Sequence, residues 1–417
     1  MDMRKLPQDA IEEILSRLPP KPLGRCKCVS KSWHNLISSR NFVKKHLDRT
    51  LSNPPHNPLR ILTYFSYESL DYESPSALES APDDSDTLVY LDDPLGPEDQ
   101  CIEHHVIGSC HGLVALLYQY DGLERIILWN PCIRLARELP GPPPPPHANS
   151  AAFYGFGYDA AIDDYKVVKV VRSKSTNETT AYVFCIYRDS WSTINGPDKS
   201  IAVVHETEGC YFHGPIGSLL HGGLHWLADR GVNGGGLILR FDLTAETFSE
   251  LPQPTTGDPN STFEVLWVSK DRLGLLSTPT AIDCNIEFWE MEEYGIGTSW
   301  KKLFSTGDSL EFGEYVAPLC VARNGDLIIE IDGWFTVRYN VGEKTFEYLK
   351  CNHPDMHKCS VYMQTIVSPY KIPKKTIGYV TARDASYVNE GRVCKKKRST
   401  RGMKKSTAWN DVVRRNS

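Results

Sequence analysis

From Val106 onward the chain repeats itself imperfectly, and this repeat limits the possible folds more than any other feature. One half-repeat is a small turn followed by an apolar strand: GSCHGLVALL from Gly108, GSLLHGGLHWLA from Gly217, VSKDRLGLLS from Val268 and VARNGDLIIEI from Val321. The other is a strand ending in an aromatic and a turn, then a strand ending near Leu-Pro, as in residues 127–140, 239–252 and 337–349. Between them, residues 181–194 and 286–303 read as strand pairs ending in Trp191 and Trp300. Helical periodicity is missing and turn residues recur at short intervals, which is an all-β signature. A unit of four short strands cannot bury its own faces, so each must pack on its neighbours, and a closed ring satisfies them all. At about forty to fifty residues per unit, residues 60–369 predict a propeller of about six blades. SVYMQTIVS (360–368) is the strand expected to close the ring, pairing near Ile61 or Leu88. A two-sheet sandwich is the competing arrangement.

The first fifty residues have a different period. In LPQDAIEEILSRLPPKPLGRCKCVSKSWHNLISSRNFVKKHL (6–47), Leu6, Ile11, Ile14, Leu15 and Leu18 recur at helical spacing and predict an amphipathic helix of about three turns. Pro7 suits its first turn, Asp9, Glu12 and Glu13 lie toward the positive end of its dipole, and Pro19 and Pro20 stop it. A second short helix is expected over 23–29 and a third over 31–37, with Trp33, Leu36 and Ile37 as apolar anchors. Three short helices bury too little surface to stand alone, so the unit reads as a docking module.

This stretch resembles an F-box, the adaptor-binding motif of SCF-type ubiquitin ligases, through Leu6, Pro7, Asp9, Ile14, Leu15, Leu18, Pro19, Arg25, Cys28, Val29, Lys31, Ser32 and Trp33, followed by Leu36, Ile37, Phe42, His46 and Leu47. Pro22 and Gly24 stand where Ser and Leu are usual, and Cys26 where an aromatic is common. WNPCIRLARELP (129–140), GFGYDAAIDDYKVVKVV (155–171) and LHGGLHWLA (220–228) are similar to landmarks of the plant F-box-associated region, a kelch-like propeller that follows the F-box in a large receptor family. The two resemblances imply an F-box at 1–48, a linker at 49–59, a propeller at 60–370 and a basic tail at 371–417. They imply a substrate-recognition subunit that docks a Skp-type adaptor, and through it a cullin. The adaptor-binding residues so implied are Leu6, Pro7, Ile11, Ile14, Leu15, Leu18, Pro19, Leu23, Arg25, Val29 and Trp33. The propeller would hold a protein client for ubiquitination, by residues that the resemblance does not specify. The alternative is a propeller that works without a ligase, as a scaffold or lectin-like binding protein.

Charge is distributed unevenly. The formal net charge of −6 divides into +9 for the tail from Arg392 onward, where Asp411 is the one acid, and −15 for everything before it. An acidic body argues against nucleic acid as a ligand of the folded part. In the tail, Lys395, Lys396, Lys397 and Arg398 with Lys404 and Lys405 form a candidate nuclear import signal, in a segment too polar to be expected to fold. No apolar run reaches membrane-spanning length, and the acidic N-terminus lacks the apolar core of a signal peptide. The expected setting is therefore the nucleus, the cytoplasm or both, with the twelve cysteines reduced. Between Arg60 and Arg125 there is no Lys or Arg, and residues 67–85 are expected to form a long acidic loop. The stretch reads as a solvated insertion or, alternatively, as a rim that would attract a basic client.

No catalytic constellation emerges, and no cofactor is expected. HGGLHW (221–226) has the glycines of an esterase oxyanion turn, but without a GxSxG elbow it reads as a blade turn. Gly155-Phe156-Gly157 lacks the third glycine of a dinucleotide fingerprint and reads as a closely packed strand. Cys351, His353, His357 and Cys359 are the best candidate zinc ligands, at a spacing that fits no common finger.

Overall fold

The computed structural model describes residues 6–52, 59–63, 66–96, 103–120, 123–145, 150–203, 216–230, 235–255, 262–269, 271–278, 286–306, 316–351 and 359–370. Four helices come first: α1 (Gln8–Leu15), α2 (Pro20–Cys26), α3 (Lys31–Ile37) and α4 (Arg40–Ser52). The expectation of three is corrected by α4, which also takes four residues assigned to the linker. Phe42, Val43, His46 and Leu47 are its buried positions, one stripe at helical spacing. The second helix starts three residues earlier than expected because Pro20 occupies its first turn, where a missing N–H costs nothing. Ser30 caps α3, its hydroxyl accepting from the Trp33 N–H at 3.2 Å. No helix among the described residues is long and apolar enough to cross a membrane.

Among the described residues, all other regular structure is antiparallel sheet arranged as a propeller, apart from short 3-10 turns and one parallel contact. The first sheet joins Leu59–Thr63, Glu68–Leu70 and Leu88–Tyr90 to the last strand, Cys359–Met363. The second holds Glu103–Cys110, Leu113–Tyr120, Leu123–Asn130 and Leu135–Glu138. The fourth runs from Thr262–Ser269 through Arg272–Thr278 and Glu287–Met291 to Trp300–Ser305, and the fifth from Val316–Val321 through Leu327–Ile331 and Phe335–Asn340 to Thr345–Tyr348. The spacing predicts about six blades, whereas four stand as separate four-stranded sheets. The strands between them are merged in a nine-stranded third sheet, two meanders that begin at Ser150–Asp159 and Ile216–Leu220. These two strands run parallel and pair through Tyr154 with Ile216 and Gly155 with Gly217.

Glycine makes this merger possible. A Cβ on Gly155 would lie 2.7 Å from Leu224 Cδ1, and one on Gly217 2.8 Å from the Trp226 ring. The Trp226 indole N–H reaches across the seam to the Tyr154 carbonyl at 3.0 Å. The ring closes as expected, with Leu59–Thr63 pairing with Cys359–Met363 in a register that sets Ile61 opposite Val361.

The half-repeats owe their form to turn chemistry. Asn130, Asp242 and Asn340 each end a third strand, and each side-chain oxygen accepts two backbone N–H groups of the following turn, at 2.8–3.4 Å. Four residues later Arg134, Glu246 and Lys344 all adopt a positive φ of 54–56°. The tryptophans and the Leu-Pro strand ends meet between meanders: the Trp191 indole donates to the Pro140 carbonyl and the Trp300 indole to the Pro252 carbonyl, both at 2.9 Å. The region 67–85 is not one long loop. Arg60 is buried and its guanidinium organises the segment, donating to the Ser69 hydroxyl and to the Ser69 and Thr87 carbonyls at 2.7–2.8 Å. Tyr72 and Ala77 are buried as well.

His221 and Gly222 form the hairpin turn that opens the strand Gly223–Asp229, and His225 on that strand is fully buried. Its Nδ1 lies 3.1 Å from the Ser218 carbonyl, which can only accept, so Nδ1 carries the proton and Nε2 accepts from the Tyr294 hydroxyl at 2.6 Å. Burial pushes this imidazole down to about 4. The unfolded chain, with its His near 6.5, binds the proton more readily, so stability falls as the pH drops from about 6.5 to 4. His225 alone then contributes a loss on the order of 3 kcal/mol over that window. Urea midpoints measured across it should decline, and His225→Gln should flatten the slope; an unchanged slope in that variant rejects the assignment.

Candidate functional site

The residues that the sequence assigns to a docking face divide by burial. Leu15 and Leu23 are 2% and 0% exposed, in one core with Ile37, Phe42, Val43 and Leu47, so they cannot touch a partner. Leu6, Ile11, Leu18 and Trp33 are half-buried, and the last three pack against that core. Pro7, Ile14, Pro19, Arg25 and Val29 are exposed, Ile14 by 45% and Val29 by 65%. The structure thus separates an outer group of apolar side chains from the inner group that holds the helices together. Gly24 lies on the outer side of α2, with open space where a side chain would stand.

The inner group is clamped by α4. Lys45 Nζ lies 3.1 Å from Glu12 and Arg49 Nη2 2.7 Å from Glu13, while His46 Nε2 donates to the Leu18 carbonyl at 2.9 Å. The hydrogen bond from Arg49, then that from Arg17, holds the Glu13 carboxyl at about 2, so these pairs persist across the ordinary pH range. Burial keeps His46 below its usual range and neutral.

This core does not stop at the helices. Phe42, Val43 and Leu47 share one apolar cluster with Ile107, Leu113, Phe156, Tyr165 and Val367 of the propeller. Charged contacts frame the joint: Arg40 pairs with Asp163, Lys44 lies 3.7 Å from the same carboxylate, and Lys21 bonds Asp86 at 2.7 Å. Arg40 also lies over the Tyr187 ring at 5.6 Å. Sequence reasoning placed Phe42 and Leu47 in the motif but missed their second role. Their i, i+5 placement with Val43 and His46 between was the available signal. The residues of the joint all belong to one end of the blades: His111 and Asp163 follow first strands, Tyr187 follows a third, and Val367 follows the ring-closing strand.

Other candidates come out differently. Cys351 is buried and Cys359 half-buried, whereas His353 and His357 lie outside the described residues. No group of three or more potential metal ligands occurs among the described residues. Lys395, Lys396, Lys397, Arg398, Lys404 and Lys405 also lie outside them.

A helical module seated on a propeller, with an apolar outer face and a continuous inner core, describes an interaction protein built in two parts. The F-box domain family matches residues 3–45, and the F-box associated beta propeller domain family matches residues 78–368, most of the chain. The chain belongs to this family of F-box proteins with an associated β-propeller. It is 27% identical to an F-box/kelch-repeat protein of Arabidopsis thaliana, over 87% of this chain and 96% of that one. It is 26% identical to the F-box protein CPR1 of the same plant, over 94% and 95% of the two chains. A third F-box protein of that organism is 30% identical, with 78% and 79% covered. The solved structure of TolB from Acinetobacter baumannii aligns at a TM-score of 0.41 and 10% identity, over 78% and 73% of the two chains. Neither matched domain family is an enzyme family.

A shared core has a measurable consequence. Phe42→Ala removes a ring that is 1% exposed at the junction, a loss of about 3–5 kcal/mol. Helix and sheet signals in circular dichroism should then melt together, at a lower temperature than in the parent protein. Two separate transitions, with the sheet signal unmoved, would contradict a continuous core.

Proposed function

We propose that the chain is the substrate-recognition subunit of an SCF-type (Skp–cullin–F-box) E3 ubiquitin ligase, and that it catalyses nothing itself. The observation that carries this is the outer helical face. Pro7, Ile14, Pro19 and Val29 remain exposed on a module in which Leu15, Leu23, Ile37, Phe42, Val43 and Leu47 are buried, and Arg25 is exposed as well. A Skp-type adaptor covering that face would bring a cullin with it. The propeller then holds a protein client near the ubiquitin-charged conjugating enzyme, and the rate gain is one of proximity and effective concentration. We infer action in the nucleus, the cytoplasm or both, where such ligases work.

The surface members of the set are the ones to change, because a charge at buried Leu15 would unfold the module rather than test an interface. Ile14→Asp and Val29→Asp should each reduce adaptor co-purification at least about ten-fold while the unfolding midpoint stays put. Full adaptor binding by both variants would sink the ligase role and favour the free-standing scaffold. Gly24→Leu should act in the opposite sense. It removes a helix-weakening glycine, worth about 1 kcal/mol, and fills the open position on the outer side of α2, so adaptor affinity should rise.

A further inference from the structure

We propose that the cavity between the helical module and the first and fifth sheets binds a small anion carrying more than one phosphate group, held by Arg17, Arg49, Arg60 and Arg323. The site does not depend on the ligase role proposed above.

The cavity has a volume of about 1050 Å³ and two walls. On the helical wall, Arg17 follows α1 and Arg49 lies on α4. On the propeller wall, Arg60 lies on the strand Leu59–Thr63, and Arg323 in the turn between the first and second strands of the fifth sheet. Asp71 and Glu73 line the same space and connect these two arginines. The Arg323 backbone N–H donates to Glu73 Oε1 at 3.0 Å and the Glu73 N–H to Asp71 Oδ1 at 3.2 Å, while Asp71 Oδ2 lies 3.8 Å from Arg60 Nη1.

The unfilled donors define the ligand. Arg60 is 7% exposed, and its Nε and Nη2 are engaged by Ser69, Asp86 and Thr87 at 2.7–3.2 Å. Its Nη1, the edge toward Asp71, makes no hydrogen bond among the described residues, since 3.8 Å is beyond that reach. The Arg323 side chain is exposed and makes neither a hydrogen bond nor an ion pair among the described residues. Arg17 uses Nε and Nη2 on Glu13, and Arg49 uses Nη1 on Ser16 and Nη2 on Glu13, which leaves Arg17 Nη1 and Arg49 Nε over. Asp71 and Glu73 each have one oxygen committed to a backbone N–H, so the oxygens that remain are fewer than the N–H groups they face. A guanidinium keeps its charge at any ordinary pH, and a charged donor turned from water without an acceptor is costly.

The ligand that completes this arrangement offers acceptors only. A carboxylate presents its lone pairs in one plane and suits one guanidinium fork, whereas phosphate oxygens point in several directions and can be shared by arginines on two walls. The space is also far larger than one phosphate ion and lies at the upper end of the range for small-molecule sites, roughly 300–1,000 Å³. More than one phosphate group, met by Arg60 and Arg323 on one wall and by Arg17 and Arg49 on the other, fits both conditions. Bound there, the anion cross-links the helices to the propeller beside their shared apolar core. A free polyphosphate and a phosphorylated metabolite share this chemistry.

The test is calorimetric titration of the full chain with inorganic tripolyphosphate, ATP, inorganic phosphate and citrate. Tripolyphosphate or ATP should bind once per chain, at least about ten times more tightly than phosphate or citrate, and should raise the unfolding midpoint. Tighter binding of tripolyphosphate marks a free polyphosphate as the source, and tighter binding of ATP a phosphorylated metabolite. Arg323→Gln removes charged donors that nothing else engages, so it should weaken binding about ten-fold and leave the ligand-free midpoint unchanged. Arg230→Gln, at an exposed arginine of the third sheet paired with Glu250, should leave binding unaltered. Should Arg323→Gln lower the ligand-free midpoint, Arg17→Gln carries the same comparison. Citrate binding as tightly as the polyphosphates, undiminished binding by both arginine variants, or binding of tripolyphosphate and ATP no tighter than about millimolar would each overturn the proposal.

Discussion

The pairing of Cys359–Met363 with Leu59–Thr63 is the contact on which the rest of the molecule depends. It joins the first strand of the propeller to the last, and every other meander lies between them in sequence. Contacts this distant in sequence carry the loop-closure entropy of everything they enclose. The residues after the closing strand then lock the seam. The Asn130 amide donates to the Thr365 and Val367 carbonyls at 3.2 and 2.7 Å, and the Thr365 hydroxyl donates to the His111 carbonyl at 2.8 Å. Ile366 and Val367 enter the same apolar cluster as Phe42 and Leu47 of α4. Ring closure therefore builds the floor on which the helices stand, and the docking module depends on a strand at the far end of the fold.

The parts of this design that were legible in the sequence are those fixed by local chemistry. Asn130, Asp242 and Asn340 announce their turns because an Asx oxygen can collect two backbone N–H groups wherever it ends a strand. Trp191 and Trp300 recur because each must find a carbonyl for its indole N–H, and a Leu-Pro strand end supplies one. Tertiary effects were less visible. The acidic stretch looked like a solvated loop because its organiser, Arg60, lies before it and bonds mostly to backbone carbonyls that any sequence could offer. The merged third sheet was hidden for a similar reason, since Gly155 and Gly217 show only that something comes close, and the neighbour was not readable. On the docking face, spacing found the right residues, but it could not separate Leu15 and Leu23, which hold the module together, from Ile14 and Val29, which face outward.

Asp163 shows how the two parts are tied. It sits in the turn after the strand Ser150–Asp159, accepts from Arg40 and from the Tyr158 hydroxyl, and lies near Lys44. Burial works to raise its carboxyl pKa, but the Tyr158 and Arg40 hydrogen bonds outweigh this and hold it below the usual range. The pairs are half-exposed and worth little individually. Their effect is directional: they fix the rotation of α4 about an apolar contact that would otherwise tolerate several.

That rotational restraint bears on the ligase role. A receptor that works by proximity gains from holding its client in a narrow range of positions, because effective concentration falls as the connection loosens. In this chain the connection between adaptor face and propeller is a continuous core framed by Arg40, Lys44 and Lys21, with no flexible hinge among those contacts. The helices occupy the end of the blades that carries the turns between first and second strands. For the role proposed, the distance from adaptor to client would then be set by this joint rather than by the reach of a linker.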